Sequence, residues 1–337
     1  MKNKNPQIHN LKLLRQITPE MRYDEKMPFA EWQRAAREKL CGLLGLPFER
    51  CDLALEIEYE AEAKAKALNA KEIRFTFQSE EGYFVPCHLL VPKNTTKSLP
   101  VAICLQGHTT GMHISLGRPH ETDTELVEDD DFAVRALQEG YCVLVIEQRN
   151  FGECGGKPEP DCYNSAMTAL LIGRTTIGER VWDVQRAIDV LEKHFPQVDS
   201  SYIICMGNSG GGTATFYAAC IDERIKAVMP SCSICTYDDS IAAIFHCSCN
   251  FVPNIRRYFD MGDLGGLITP RKLVVVAGNE DDIFPVSGVK KSFESIKSTY
   301  ENQNCGENCE LVIGDGGHRF YADDAWPVLN KLIGAIY

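Results

Sequence analysis

The sequence predicts an α/β fold, with helices on both faces of a mostly parallel central sheet and antiparallel strands at its start. Three features of the 337 residues support this prediction. Short apolar runs alternate with helical stretches over the last two thirds of the chain, as in doubly wound proteins. These runs are almost unbroken in Val, Ile, Leu and Cys, which is typical of parallel strands buried on both faces. Before them, two segments read as an antiparallel pair.

The individual elements follow from these patterns. The antiparallel pair is predicted over EIRFTFQ (72–78) and FVPCHLLVPKN (84–94). The parallel strands are predicted over PVAICLQ (100–106), YCVLVIE (141–147), YIICMG (202–207), IKAVMP (225–230), KLVVVAG (272–278) and CELVIGD (309–315). Helical spacing of apolar residues, ended by Gly or Pro, predicts helices within 28–47 and 179–196.

The domain organisation is predicted from a change near residue 70, where polar, helical sequence gives way to strand-like segments. Residues 1–70 are polar and helical in character, so we expect an N-terminal helical extension packed on the core. Residues 71–337 are expected to form the catalytic domain. Within it, residues 231–270 break the strand–helix rhythm with an aromatic, Cys-rich stretch, which we expect to form either a cap-like insert over the site or a long crossover.

Charge and composition narrow the classes of partner and compartment. A net charge of −12 disfavours nucleic acid and anionic membrane surfaces, both of which attract clustered Lys and Arg. No apolar run is long enough to span a bilayer, and the N-terminus lacks the features of a signal peptide, so we expect a cytoplasmic protein. The fifteen cysteines are interpreted as free thiols in a reducing compartment.

The strongest chemical signal is Gly-Asn-Ser-Gly-Gly over residues 207–211, between a predicted strand and a predicted helix. A strand–turn–helix elbow of this kind exposes a serine hydroxyl at the end of a sheet, and the flanking glycines avoid collisions in the turn. The helix N-terminus behind it offers N–H groups to a developing oxyanion. We therefore predict Ser209 as a nucleophile.

An acid and then a histidine should follow such a serine along the chain. The strand KLVVVAG runs into GNEDDIFP, which places two carboxylates just past a strand end. Asp281 is preferred as the acid because a G-x-x-D-x-x-x-P frame runs from Gly278 to Pro285, and Asp282 is its rival. His318, in the glycine-flanked loop GGHRFY after the last strand, is the predicted base.

The second half of an oxyanion hole is predicted in the loop after PVAICLQ. In this arrangement the backbone N–H of His108, or of Thr109, would act together with that of Gly210. The imidazole of His108 is interpreted as pocket lining. Arg149, in the loop EQRNFGECGG, is expected to tie loops together by a salt bridge.

A zinc site is the main alternative use of the cysteines. Cys232-x-x-Cys235 and the later His246-Cys247-x-Cys249 offer ligands that suit zinc. The C-x-C spacing fits a zinc knuckle poorly, however, and Cys occurs throughout the chain. We therefore expect no metal and no organic cofactor.

Several segments in the same order resemble the acetyl xylan esterase and dienelactone hydrolase branch of the α/β-hydrolases. The resemblance rests on VPCHLLVP, LQGH, EQRNFGE, VWDVQRAIDVL, GNSGGG, HCSCNFVPNI, GDLGGLITPRKL, AGNEDDIFPV and GGHRFY, from about Val85 to the C-terminus. The sequence departs from the usual pattern at Gln106, where many relatives carry His, and at EQRNFGE, which replaces an acidic-x-Arg-Gly-x-Gly pattern.

The resemblance implies an α/β-hydrolase fold with Ser209, Asp281 and His318 as the catalytic triad. It also implies a small-molecule ester substrate with a short acyl chain, such as an acetylated oligosaccharide, and it leaves a homo-oligomer open. A peptidase or a dienelactone-type lactonase on the same fold is the alternative enzyme. A catalytically silent binding protein is the alternative from another class, and such proteins usually lack a member of the triad.

Overall fold

A computed structural model describes residues 4–63, 69–93, 97–123, 127–155 and 161–334. Nine strands within these ranges form one sheet, in the order β1-β2-β3-β5-β4-β6-β7-β8-β9. The strands are β1 Leu55–Glu62, β2 Ala70–Glu80, β3 Tyr83–Pro92, β4 Leu99–Leu105, β5 Cys142–Ile146, β6 Val198–Asn208, β7 Ile225–Ser231, β8 Lys272–Gly278 and β9 Cys309–Gly314.

The sheet is antiparallel at one side and parallel over the rest. Strands β1, β2, β3 and β5 pair antiparallel, whereas β5, β4, β6, β7, β8 and β9 pair parallel. The predicted fold class is therefore confirmed, and each of the eight predicted strands matches one of β2–β9.

Ten α-helices connect and cover the strands within the described ranges. They are α1 Pro6–Gln16, α2 Phe29–Leu44, α3 Phe132–Gln138, α4 Tyr163–Leu171, α5 Thr176–His194, α6 Gly210–Ile221, α7 Ile255–Tyr258, α8 Met261–Leu264, α9 Val286–Asn302 and α10 Ala322–Ile333. The three predicted helices are present, as α2, α5 and, after the Gly-Asn-Ser-Gly-Gly turn, α6. No helix in the described ranges combines the length and the apolar character needed to cross a membrane.

The core lies on both faces of the sheet because successive side chains of a strand point to opposite sides. In β4, Val101 and Ile103 join the core under α2, α5, α6 and α9, whereas Ala102 and Cys104 join the core under α3 and α10. Since most strands are covered on both faces, their sequences are apolar throughout instead of alternating.

The N-terminal region contains a strand in addition to helices. Helix α2 buries Trp32, Ala36, Leu40 and Leu44, which are spaced by four residues and so form one face of the helix. Residues 55–62 form β1, which extends the sheet beyond β2 and was not predicted. The predicted helical extension of residues 1–70 thus also supplies an edge strand.

Residues 231–270 form no long element after β7 ends at Ser231. They contain 3₁₀ turns at Ser248–Asn250 and Gly265–Leu267 and the short helices α7 and α8. Residues 241–251 of this stretch line a cleft that α1 and α4 also line. The stretch therefore has the position of a wall beside the site described next.

Candidate active site

The parallel order of β6, β7, β8 and β9 brings their carboxyl ends to one edge of the sheet. In open α/β sheets, ligands bind at this edge. Ser209 follows β6, Asp281 lies three residues after β8, and His318 lies four residues after β9. The fold thus gathers the three predicted residues at one edge.

Ser209 occupies a strained elbow between β6 and α6. Its backbone has φ 54° and ψ −121°, a combination that L-residues rarely adopt. The Ser209 N–H donates to the Ser231 carbonyl over 2.9 Å, which fixes the turn against β7. A Cβ atom on Gly207 or Gly211 would lie 2.5 or 1.9 Å from the Leu105 carbonyl oxygen, so both positions require glycine. Ser209 is half-buried.

Asp281 and His318 form a hydrogen-bonded pair. The His318 Nδ1 atom lies 2.8 Å from Asp281 Oδ2, and the aspartate is 4% exposed. The other oxygen, Oδ1, accepts hydrogen bonds from the backbone N–H groups of Ile283 and Phe284 at 2.9 and 3.0 Å. Burial opposes ionisation of Asp281, but its hydrogen bond and attraction to His318, with those two N–H groups, lower its pKa.

The rival carboxylate lies elsewhere. Asp282 is exposed to solvent, whereas its neighbour Asp281 points inward to the imidazole. The His318 ring stacks on Phe284, with ring centroids 5.9 Å apart and planes 16° from parallel. Within the described residues the buried His318 Nε2 atom has no hydrogen-bond partner. The free side of the ring is therefore the one that can exchange a proton.

The predicted oxyanion residues lie beside the elbow. Because Leu105 of β4 pairs with Gly207 of β6, the residues after each strand meet beyond the sheet. A Cβ atom on Gly210 would lie 2.8 Å from His108 Cε1, so the imidazole packs directly on the start of α6. The Thr109 N–H already donates to the Gly107 carbonyl over 2.8 Å. Of the two predicted amides in this loop, that of His108 is the more available.

A buried carboxylate braces the oxyanion loop. Glu147 Oε1 accepts hydrogen bonds from Gln106 Nε2 at 2.5 Å and from the Met112 N–H at 3.1 Å, and Oε2 accepts from the Glu153 N–H at 3.3 Å. Burial raises the pKa of Glu147 to about 7. Gln106, a departure from the usual family residue, thus ties this loop to the loop after β5.

Arg149 ties loops together, as the sequence predicts. Its guanidinium is paired with Asp183 of α5 at 2.8 Å and with Glu80 at the end of β2 at 2.7 Å. It also lies over the Tyr83 ring, 4.1 Å from the centroid. These contacts hold the loop after β5 against α5 and the β2–β3 turn.

The cysteines are grouped differently from the predicted pairs. The thiol of Cys232 lies within 4.8 Å of Asp281 and His318, and burial, with the charge of Asp281, raises its pKa to about 12. Cys235 bonds weakly to the Pro285 carbonyl, 3.8 Å away. In the described part of the chain, neither of them joins Cys247 or Cys249 in a cluster.

A second group of thiols contains Cys247 and Cys249, which the sequence offered as zinc ligands, but its other members, His108 and Cys162, were not linked to them by the sequence. His108 Nε2 and the sulfur atoms of Cys162, Cys247 and Cys249 all lie within 4.8 Å of one another. The buried Arg180 of α5 is next to them, with nitrogens 3.7 Å from the sulfurs of Cys249 and Cys162. No local motif links Cys162 to the others, because the contact arises only from the tertiary fold.

A cleft of about 1210 Å³ opens beside this group. Its walls are α1, α4 and residues of the stretch 241–251, and His108 also lines it. Apolar side chains dominate, and the side chain of Phe245 is fully exposed on the wall. Because His108 borders both the cleft and Gly210, the cleft leads to the candidate oxyanion site.

Comparison with known proteins gives the family. The profile of the acetyl xylan esterase (AXE1) family matches residues 49–263, more than half of the chain. The chain is 27% identical over 242 residues to YtaP, a protein of Bacillus subtilis (strain 168) named as a hydrolase; the match covers 69% of this chain and 77% of YtaP.

Solved structures share the fold at low sequence identity. A protein from Bacteroides fragilis NCTC 9343, named as an acetyl xylan esterase, superposes with a TM-score of 0.77 at 14% identity, covering 93% of this chain and 83% of its own. A glucuronoyl esterase from Solibacter usitatus superposes with a TM-score of 0.68 at 16% identity, covering 94% and 98%. The chain belongs to the acetyl xylan esterase (AXE1) family, has the α/β-hydrolase fold, and is a serine-type carboxylic ester hydrolase.

Proposed function

We propose that this chain removes short acyl groups, acetyl above all, from carbohydrate esters through an acyl-enzyme on Ser209. The observation that carries the proposal is the strained Ser209 elbow on the same sheet edge as the hydrogen-bonded Asp281–His318 pair. The family profile, which spans Ser209 but ends before Asp281, supports an ester substrate.

In the first step His318 Nε2 takes the proton of the Ser209 hydroxyl as its oxygen attacks the ester carbonyl. Asp281 holds Nδ1–H, which fixes the tautomer that leaves Nε2 free to accept, and its charge stabilises the imidazolium. The two backbone hydrogen bonds to the other Asp281 oxygen keep the carboxylate aimed at the ring.

The tetrahedral intermediate carries a negative oxygen that needs hydrogen-bond donors. The first N–H groups of a helix have no intrahelical partner, so the Gly210 amide at the start of α6 is one donor. The His108 amide is the second, in the loop braced by Glu147. Collapse of the intermediate expels the alcohol, which takes the proton from His318.

Water then completes the cycle. His318 removes a proton from a water molecule, which attacks the acyl group on Ser209, and the second intermediate releases the carboxylic acid and the free serine. Each proton taken by Nε2 is returned to a leaving oxygen, so the enzyme is restored.

The cleft suits a neutral carbohydrate as the leaving alcohol. Among the described residues that line it, Asp161 is the one with a formally charged side chain. A volume of about 1210 Å³ far exceeds an acetyl group, so the cleft is assigned to the alcohol. The negative Asp161 would disfavour an anionic uronate, which favours an acetylated neutral sugar.

The free thiols support a cytoplasmic site of action. None of the fifteen cysteines, all of which lie in the described ranges, forms a disulfide. Free thiols persist in a reducing compartment. We therefore propose that the substrate is a soluble ester, such as an acetylated oligosaccharide, that has entered the cell.

The test is hydrolysis of p-nitrophenyl acetate, p-nitrophenyl butyrate and an acetylated xylo-oligosaccharide by the wild type and Ser209→Ala. We expect faster turnover of acetate than butyrate, release of acetate from the oligosaccharide, and loss of at least about 10³-fold in kcat in the variant. The exposed Ser201 provides the control variant Ser201→Ala, which should keep full activity.

Two results would contradict the proposal. Equal activity in wild type and Ser209→Ala would remove Ser209 as nucleophile. Labelling of Ser209 by a fluorophosphonate without hydrolysis of any acetyl ester would retain an activated serine but overturn the acyl preference, and a lactone or a peptide substrate would be tested next.

A further inference from the structure

Four potential metal ligands from three separate parts of the chain converge beside the oxyanion loop. His108 follows β4, Cys162 precedes α4, and in the stretch after β7 Cys247 precedes the 3₁₀ turn that contains Cys249. All four ligand atoms lie within 4.8 Å of one another. His108 Nε2 is 3.2 Å from the Cys249 sulfur and 3.9 Å from the Cys162 sulfur.

The two nitrogen–sulfur separations are close to those of a tetrahedral zinc site. With Zn–S bonds of about 2.3 Å and a Zn–N bond of about 2.0 Å, a tetrahedron places sulfur about 3.8 Å from sulfur and about 3.5 Å from nitrogen. The two observed nitrogen–sulfur distances lie on either side of that value. A Cys₃His set is also one of the usual ligand sets of structural zinc.

The charge of Arg180 provides a second, independent argument. Arg180 is 3% exposed. Its guanidinium donates to the Arg149 carbonyl over 2.9 Å and lies over the Phe151 ring, but among the described residues no carboxylate forms an ion pair with it. A buried charge needs a partner of opposite sign. The nearest candidates for such a partner are the sulfurs of Cys249 and Cys162, each 3.7 Å from a guanidinium nitrogen.

We propose that His108, Cys162, Cys247 and Cys249 bind one Zn²⁺ ion, with Arg180 as the counter-charge. Three thiolates carry three negative charges, which the Zn²⁺ ion and the guanidinium balance, and the imidazole binds as the neutral ring. Binding releases three thiol protons to solvent. With four protein ligands the site is closed, so its role is structural.

The site also has a consequence for catalysis, which rests on the proposed function. The His108 ring packs on Gly210, since a Cβ atom there would lie 2.9 Å from His108 Nδ1. Zinc at Nε2 would hold this ring and the loop that carries the His108 amide. The ion would therefore position the oxyanion loop without touching the substrate ester.

The first test measures zinc directly, by elemental analysis of the full-length protein produced and purified with zinc and a reductant. We expect about one zinc per chain in the wild type. Cys249→Ser should lose it, whereas Cys235→Ser, which changes a buried cysteine outside the cluster, should retain it. Ser209→Ala should keep its zinc even though it is inactive, so this result is independent of the proposed function.

The second test does not depend on variants that fold. Co²⁺ added to chelated, reduced wild-type protein should give a thiolate-to-cobalt charge-transfer absorption and the visible bands of a tetrahedral ion, and zinc should abolish both. Folded, reduced wild type that contains no zinc and gives no such bands would overturn the proposal. Iron in place of zinc, or a disulfide within the cluster, would overturn it as well.

Discussion

Two polar clusters lie on either side of the Ser209 elbow, and they are held together in different ways. The Asp281–His318 pair is fixed by short loops after neighbouring strands and by backbone N–H groups that aim the carboxylate. The cluster around His108 gathers side chains from three distant segments. The first is positioned by local turn geometry, whereas the proposed Zn²⁺ ion would hold the members of the second together. The two clusters should therefore fail under different perturbations.

The largest effect is expected from changes to the Asp281–His318 pair. Asp281→Asn should lower kcat by about 10⁴-fold, because an amide cannot stabilise the imidazolium and favours the wrong histidine tautomer. The adjacent Asp282→Asn should change kcat by no more than about twofold, since that carboxylate is exposed. Steady-state kinetics on p-nitrophenyl acetate measures both. Equal losses of kcat in the two variants would mean that Asp281 is not the acid that orients His318.

The cysteine cluster should give a smaller but metal-dependent loss. Cys249→Ser, or chelation of the wild type, should lower kcat by up to about 10²-fold with little change in KM, because a displaced oxyanion amide weakens transition-state stabilisation. Zinc should restore the chelated wild type but not the variant. Cys235→Ser serves as the matched control. Full activity in a folded, zinc-free protein would separate the metal from catalysis.

Glu147, whose hydrogen bonds hold the oxyanion loop, should make folding stability depend on pH. Since burial raises the pKa of Glu147 to about 7, the folded state keeps its proton over a range in which the unfolded chain loses it. Below about pH 4.5 Glu147 is protonated in both states, and this contribution to stability is fully present. As pH rises from about 4.5 through about 7, the free energy of unfolding falls by up to about 3 kcal/mol. Urea unfolding at pH 5 and pH 8 measures it.

The comparison with Glu147→Gln isolates this contribution, because other titrating groups cancel between the two proteins. We expect the wild type to lose more unfolding free energy than the variant between pH 5 and pH 8. Identical losses would show that Glu147 does not titrate in this range in the folded protein.

The smallest effect is expected at the cleft wall. Phe245→Ala should raise KM for an acetylated xylo-oligosaccharide by about 2- to 10-fold, the value of one aromatic contact, with p-nitrophenyl acetate kinetics unchanged. Phe84→Ala, at an exposed aromatic residue on β3 outside the cleft, is the control. An unchanged KM would place the leaving alcohol elsewhere.

Sequence patterns predicted the parts of the molecule that depend on residues close together in the chain. Six parallel strands were predicted because burial on both faces makes them apolar throughout, and the antiparallel pair was predicted from an alternating segment followed by one that ends in a proline turn. Ser209, Asp281 and His318 could be named because each follows a predicted strand in a fixed chain order. The edge strand β1 was missed although LEIEYEAE alternates apolar and acidic residues as a strand does, because it is largely exposed and lacks the continuous apolar run of the buried strands.

The thiol cluster could be predicted only in part, since local spacing singled out Cys247-x-Cys249 but not its partners His108 and Cys162. Local spacing suggested Cys232-x-x-Cys235 as one half of a zinc site, but the fold places Cys232 beside Asp281 instead. Cys162 and His108 are 54 residues apart, and only packing of α4 against the stretch after β7 brings them together. The bracing role of Glu147 likewise depends on a loop contact 41 residues away, to Gln106.

The outer edge of β1 has a consequence for self-association. Within the described residues this strand pairs only with β2, so its other side presents unpaired backbone groups. Glutamates occupy positions 56, 58, 60 and 62, and a register shift between Ile57 and Tyr59 divides them between the two faces of the strand. Glu58, Glu60 and Glu62 pair with Arg74, Lys71 and Lys93 of the same chain. Charged side chains and an irregular register both discourage a second sheet from adding its strand at such an edge.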